Sequence, residues 1–168
     1  IRYSIMKKLF IVAISFIALG CKVTYSFRGG EIPGQTFSIE SFTNTATLVN
    51  PNLAIVIQDE LQEKFSNESN LKYTDGIGDA HFTGAIINYS ITPVQGTGAE
   101  TVALNRLTIK IKVSYANSEN NNQDFDQTFE MYDDFESTDD FSAIEDKLMK
   151  SISEKLIDQI YQKTMTEW

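Results

Sequence analysis

The chain has 168 residues, is 42% hydrophobic and 22% charged, carries a formal net charge of −9, and holds one cysteine and one histidine. A domain of this size buries a core without a metal or crosslinks, so stability alone points to no cofactor. One cysteine and one histidine exclude a disulfide framework, a structural zinc cluster and a multi-histidine metal site. The acid excess argues against general binding to nucleic acid, where lysine and arginine must neutralise phosphates.

From Met6 the chain reads as a targeting segment: Lys7 and Lys8 form a short basic region, an apolar run follows from Leu9 to Leu19, and Gly20-Cys21 closes it. The run is too short to span a hydrocarbon core comfortably. Residues 1–20 are expected to be a signal peptide, with 1–5 as upstream extension. A small residue followed by the chain's single cysteine resembles the lipobox of bacterial lipoproteins, in which the thiol is acylated and the chain is cleaved just before it. That resemblance implies a lipid anchor on Cys21, with no other cofactor. Lys22 and Val23 differ from the aspartate that retains many lipoproteins in the inner membrane, so the expected location is the periplasmic side of the outer membrane. Removing residues 1–20 takes away Arg2, Lys7 and Lys8 and no acid, leaving eleven basic against twenty-three acidic residues, a net of −12.

Residues 21–35 are glycine-rich after the cysteine and read as a tether, with the folded domain expected over 36–168. Thr36 to Phe42 alternates like a first strand. Asn50-Pro51 supplies an N-cap and a first helical residue, and Leu53, Ile57, Leu61 and Phe65 follow at helical spacing. A weak strand at Leu71–Thr74 leads into Asp75-Gly76-Ile77-Gly78-Asp79, read as a hairpin turn. His81 to Val94 is a long strand, with Phe82 and Ile86 on one face and Ile87, Tyr89 and Ile91 on the other. Small residues at 96–99 form a loop. Leu107 to Tyr115 alternates most clearly, with Leu107, Ile109, Ile111, Val113 and Tyr115 apolar against Thr108, Lys110, Lys112 and Ser114. Phe125, Phe129, Met131 and Phe135 repeat the pattern. Ser142-Ala143-Ile144-Glu145 reads as a capping box that opens a final helix through Ile160.

The order is therefore β-α-β-β-β-α. The expected fold class is α+β: a two-layer sandwich in which a four-stranded, mostly antiparallel sheet carries both helices on one face.

No catalytic constellation emerges. His81 lies in a strand without a nucleophile motif and reads as structural or surface. Asp133, Asp134, Glu136, Asp139 and Asp140 lack the ligand spacing and turn glycine of a calcium loop, and read as a solvated strand–helix connection. Arg106, Lys110 and Lys112 share the wet sheet face as a basic stripe. Either they balance neighbouring acids or they recognise phosphate groups of an anionic glycolipid.

The lipobox cysteine, Val49-Asn50-Pro51, Gly84 with Tyr89 and Pro93, and Asn105-Arg106-Leu107-Thr108 together resemble the LptE family of lipopolysaccharide-assembly lipoproteins. That resemblance implies a non-enzymatic protein that plugs and helps to fold the large outer-membrane β-barrel LptD, and binds lipopolysaccharide on its way to the outer leaflet. Arg106, Lys110 and Lys112 are the candidate contacts to lipopolysaccharide or barrel by charge pattern, not by a family motif. Other classes remain open at this point: a free periplasmic lipoprotein that binds a small ligand or inhibits a foreign hydrolase, or a hydrolase using Asp133 or Asp134.

Overall fold

The computed structural model describes residues 31–48, 50–95 and 103–166. The expected signal segment, Cys21, Val49 and the loop at 96–99 lie outside them.

The elements are β1 (Thr36–Ile39), β2 (Thr43–Asn44), α1 (Leu53–Glu68), β3 (Lys72–Tyr73), β4 (Ala80–Gln95), β5 (Ala103–Asn117), β6 (Phe125–Glu136) and α2 (Phe141–Met165). The fold is α+β, as the periodicity predicts, but the sheet is mixed and has six strands. Its order is β3-β1-β4-β5-β6, with β2 also on β4. The long strands β4, β5 and β6 form the expected antiparallel meander, whereas β1 pairs parallel with both β3 and β4, and β2 pairs parallel with β4. A four-stranded, mostly antiparallel sheet is thus corrected. The expected first strand is broken after Ile39 where Phe42 turns inward, and the weak 71–74 segment adds an edge strand of two residues.

The turn expected at 75–79 is not a hairpin, because β3 and β4 both run parallel to β1 with β1 between them. The segment instead crosses β1. A Cβ on Gly78 would lie 2.7 Å from the Phe37 carbonyl carbon, so only glycine fits the crossing. Gly78 N donates to Ser38 Oγ at 2.9 Å, and the Asp79 carboxylate accepts from Gln35 N, Thr36 N and Thr36 Oγ1.

The packed domain starts before residue 36. Ile32 is 1% exposed, its N–H donates to Asn70 Oδ1, and Asn70 Nδ2 donates back to its carbonyl. Within the expected tether, residues 32–35 are therefore part of the body of the domain.

A bulge in β4 explains a face assignment that alternation alone gets wrong. Ile86 pairs with Ile111, but the next pair is Asn88 with Lys110, leaving Ile87 as the extra residue. Tyr89 and Ile91 thereby return to the core side with Phe82 and Ile86, whereas strict alternation places them opposite. On β5 the expected alternation holds: Leu107, Ile109, Ile111, Val113 and Tyr115 are buried.

Both helices lie on this face and share one core with it. Helix α1 buries Leu53, Ile57, Leu61 and Phe65, each side chain contributing about 1.5–3 kcal/mol of burial. Its N-cap is Asn52 instead of Asn50, whose Oδ1 accepts from Asn52 N at 2.9 Å in a turn that holds Pro51 outside the helix. Helix α2 is capped by Asp140, whose Oδ1 accepts from Ser142 N and Ser142 Oγ. The expected box at Ser142–Glu145 is therefore not the cap, and Glu145 is free for a long-range contact. The helices run side by side in the same direction, with Lys64 on Asp158 at 2.7 Å and the Tyr161 hydroxyl donating to the Glu68 carbonyl at 2.7 Å.

Candidate functional site

With the helices covering one face, the other face of β4, β5 and β6 carries the polar residues. Arg106, Lys110 and Lys112 project there from β5, as their alternation predicts. Their surroundings were not visible in a single strand. The β5–β6 register sets Arg106 opposite Asp134, Lys110 opposite Glu130, and Ser114 opposite Asp126. Arg106 makes a two-point contact with Asp134 (Nε to Oδ1 2.7 Å, Nη2 to Oδ2 2.8 Å) while its guanidinium lies 3.6 Å from the centre of the Tyr132 ring. Lys110 pairs with Glu130 at 2.5 Å and Lys112 with Asp126 at 3.0 Å.

The basic stripe therefore faces an acidic stripe on the neighbouring strand, and together they form a charge-balanced ladder. The Arg106 hydrogen bonds hold the Asp134 carboxyl below its ordinary value, and the same contacts raise the guanidinium. The ladder is a polar and largely neutral surface that retains directional donors and acceptors. An anionic lipid headgroup meeting it must displace a carboxylate from each cation that it takes.

The acid cluster at 133–140 is dispersed by the fold. Asp133 points to the helix side and pairs with Lys155, Asp134 points to the opposite face and holds Arg106, and Asp140 caps α2. No group of three or more metal-ligating side chains occurs among the described residues.

His81 has partners that its own strand did not suggest. Its Nδ1 lies 2.7 Å from Ser38 Oγ, and its Nε2 lies 3.8 Å from Glu40 Oε2. The row of serine, histidine and carboxylate does not present a usable nucleophile. Ser38 is 4% exposed, and its oxygen also accepts from Gly78 N beneath the crossing segment. These residues tie β1, β4 and the crossing together.

Residues of the sequence resemblance converge elsewhere. Asn50 Nδ2 and the Tyr89 hydroxyl both donate to Glu145 Oε1, at 2.8 and 2.5 Å, joining the α1 approach, β4 and α2. Gly84 makes room for the ring of Phe42, where a Cβ would stand 2.3 Å from Phe42 Cε1. Glu145 had signalled only a cap in the sequence. Its spacing of one helical turn from Met149 places it on the core side, which was the available clue.

No helix among the described residues is long and apolar enough to cross a membrane. The molecule belongs by architecture to the two-layer α+β sandwiches with a mixed sheet, a fold shared with several solved bacterial structures. Protein XCC0632 from Xanthomonas campestris matches with a TM-score of 0.56 at 9% identity, covering 80% of this chain and 86% of that one. The hypothetical protein CT253 from Chlamydia trachomatis matches with a TM-score of 0.54 at 11% identity, over 79% and 96% of the two chains. The uncharacterized lipoprotein B from Nitrosomonas europaea matches with a TM-score of 0.50 at 16% identity, over 84% and 88%. At such identities the likeness speaks for the fold alone. No curated protein sequence matches the chain. The family model LptE, described as lipopolysaccharide-assembly, matches residues 34–164. The chain belongs to the LptE family, a non-enzymatic family of cell-envelope lipoproteins.

Proposed function

We propose that the protein is an outer-membrane lipoprotein, anchored on the periplasmic side through acylated Cys21, that plugs and helps to assemble an LptD-type β-barrel for insertion of lipopolysaccharide into the outer leaflet. The observation that carries this reading is the family match over residues 34–164. The charge ladder supports it: a plug in a water-lined lumen needs polar contacts without a strong local field, and Arg106, Lys110 and Lys112 with their acidic partners supply them. The basic residues act first as contacts to the barrel wall. Direct binding of lipopolysaccharide at the stripe requires exchange of Asp134, Glu130 or Asp126 for phosphate. No nucleic acid takes part.

Depletion of the protein in its host tests the proposal. It is expected to lower the amount of lipopolysaccharide exposed on intact cells and the amount of correctly folded barrel in the outer membrane. Unchanged surface lipopolysaccharide after depletion contradicts it.

A further inference from the structure

The sheet ends in strands that differ in how they are guarded. The outermost strand on one side, β3, is two residues long. The free upper edge of β4 carries the bulge at Ile87 and Pro93, both of which obstruct pairing. On the other side stands β6, twelve residues long, in unbroken register with β5 and without proline, glycine or lysine. Among the described residues, none pairs with its outer edge.

Charge is the usual remaining guard, and on β6 it is blunted. Of the five acids on the strand, Asp126, Glu130 and Asp134 are held by Lys112, Lys110 and Arg106 of β5, and Asp133 by Lys155 of α2. The parity of the ladder shows which backbone groups are available. Ser137 N donates to the Ala103 carbonyl, so odd-numbered positions of β6 carry the bonds to β5. The even positions, from Asp126 to Glu136, aim their N–H and carbonyl groups at the open edge.

Beside that edge runs a groove of about 520 Å³ between β6 and α2, lined by Gln127, Phe129, Met131, Lys155, Gln159 and Gln162 among others. A strand added to β6 would set alternate side chains into this groove beside Phe129 and Met131, and the others on the outer face beside the acids. Lys112 takes Asp126 Oδ2 and Lys110 takes Glu130 Oε2, so among the described residues Asp126 Oδ1 and Glu130 Oε1 are left to accept a second cation. A second copy of this chain fits poorly. Two-fold antiparallel pairing of β6 about Glu130, Met131, Tyr132 or Asp133 sets acid opposite acid, and in any register a second β6, which has no lysine or arginine, brings no cation to these acids.

We propose that the outer edge of β6 is a strand-addition site for an extended segment of a different protein, one with apolar residues facing the α2 groove and basic residues facing outward. Backbone hydrogen bonding supplies most of the affinity, and the groove and the two open carboxylate oxygens select the occupant. This inference is independent of the barrel proposal, because it concerns how the edge binds and not which assembly uses it.

Amide hydrogen exchange on the full chain tests it, with a capped probe peptide of sequence Lys-Val-Thr-Val-Lys-Val-Thr-Val-Lys. Exchange at Thr128, Glu130 and Tyr132 is expected to slow by about tenfold or more when the probe binds. The same peptide with glutamate for lysine is expected to give no protection. The variant Thr128→Pro removes an edge N–H that is not used in the fold, and is expected to abolish probe protection while leaving the exchange of β5 amides unchanged. If that variant fails to fold, Thr128→Lys, which adds a cation at the same point of the edge, is expected to weaken the lysine probe at least severalfold. Absence of protection, equal protection by both probes, or protection confined to β4 or α1 overturns the proposal. So does a dimer of the free chain that is lost in Thr128→Pro, which would assign the edge to a second copy.

Discussion

The Tyr89 hydroxyl donates to Glu145 Oε1 at 2.5 Å, across a sequence separation that spans two strands and the start of the last helix. Asn50 Nδ2 donates to the same oxygen. One carboxylate thus joins the turn before α1, the segment of β4 just past its bulge, and the second turn of α2. Removing the phenol leaves the carboxylate with one fewer donor in a half-buried place. Tyr89→Phe is expected to cost about 1–3 kcal/mol, measured by urea unfolding at neutral pH. Burial, followed by the Glu145 hydrogen bond and charge, pushes the Tyr89 phenol far above its ordinary value of 10. A group raised in the folded state stabilises fully below its unfolded value and loses that contribution as pH rises above it. The gap between wild type and Tyr89→Phe should therefore narrow above about pH 10. A gap that stays constant through that range contradicts the assignment.

Gly78 and Gly84 are both closed to a side chain, but by different neighbours. Gly78 abuts the backbone of Phe37, whereas Gly84 abuts the ring of Phe42, which can turn. Both alanine variants are expected to be destabilised by about 1–3 kcal/mol, with Gly78→Ala the worse of the two. Thermal unfolding checks the ranking. Combining Gly84→Ala with Phe42→Leu should recover part of the loss, and no second substitution in a side chain should do so for Gly78→Ala.

Arg106 and Asp134 are each about one-third exposed, so their pair is screened despite its two-point geometry. A double-mutant cycle with Arg106→Ala and Asp134→Ala is expected to give a small favourable coupling that weakens as salt is added. Arg106→Lys should lose most of it, because lysine cannot reproduce the fork or stack on Tyr132. A coupling indistinguishable from zero would mean that the ladder does not hold together in solution.

Asp79 accepts backbone hydrogen bonds from Gln35 and Thr36 and one from the Thr36 hydroxyl, and these hold its carboxyl below the ordinary 3.8. A depressed carboxyl contributes stability that is present above its unfolded value and lost as pH falls through its folded value. The difference between wild type and Asp79→Ala should be constant near neutrality, shrink as pH drops below 3.8, and vanish below the depressed value. Unfolding curves over that acid range test it, and a difference that grows toward low pH has the wrong sign.

Much of this molecule was legible because its long elements obey simple periods. Leu107 to Tyr115 on β5 and Leu53 to Phe65 on α1 show their buried faces directly in the sequence. The parallel part of the sheet was not legible, since β1, β2 and β3 are too short to carry a period and their pairing is decided by Gly78 crossing Phe37 and by Phe42 packing on Gly84. The helix starts shifted by two residues because Asn50 and Glu145 make better long-range contacts than caps. At the charged face, Arg106, Lys110 and Lys112 were visible as a stripe, but their neutralisation depends on register. Lysines at 110 and 112 and acids at 126, 130 and 134 across one antiparallel connection held the signal, and only the pairing of β5 with β6 resolves it.

The role proposed for this LptE-family chain is that of partner to a lipopolysaccharide-inserting barrel. Purifying the C-terminally tagged protein from outer membranes in mild detergent, and quantifying what accompanies it, tests that role. One large outer-membrane β-barrel is expected at close to equal amount, together with a mature chain that begins at acylated Cys21. Recovery of the protein alone, under conditions that keep other barrel complexes intact, contradicts it.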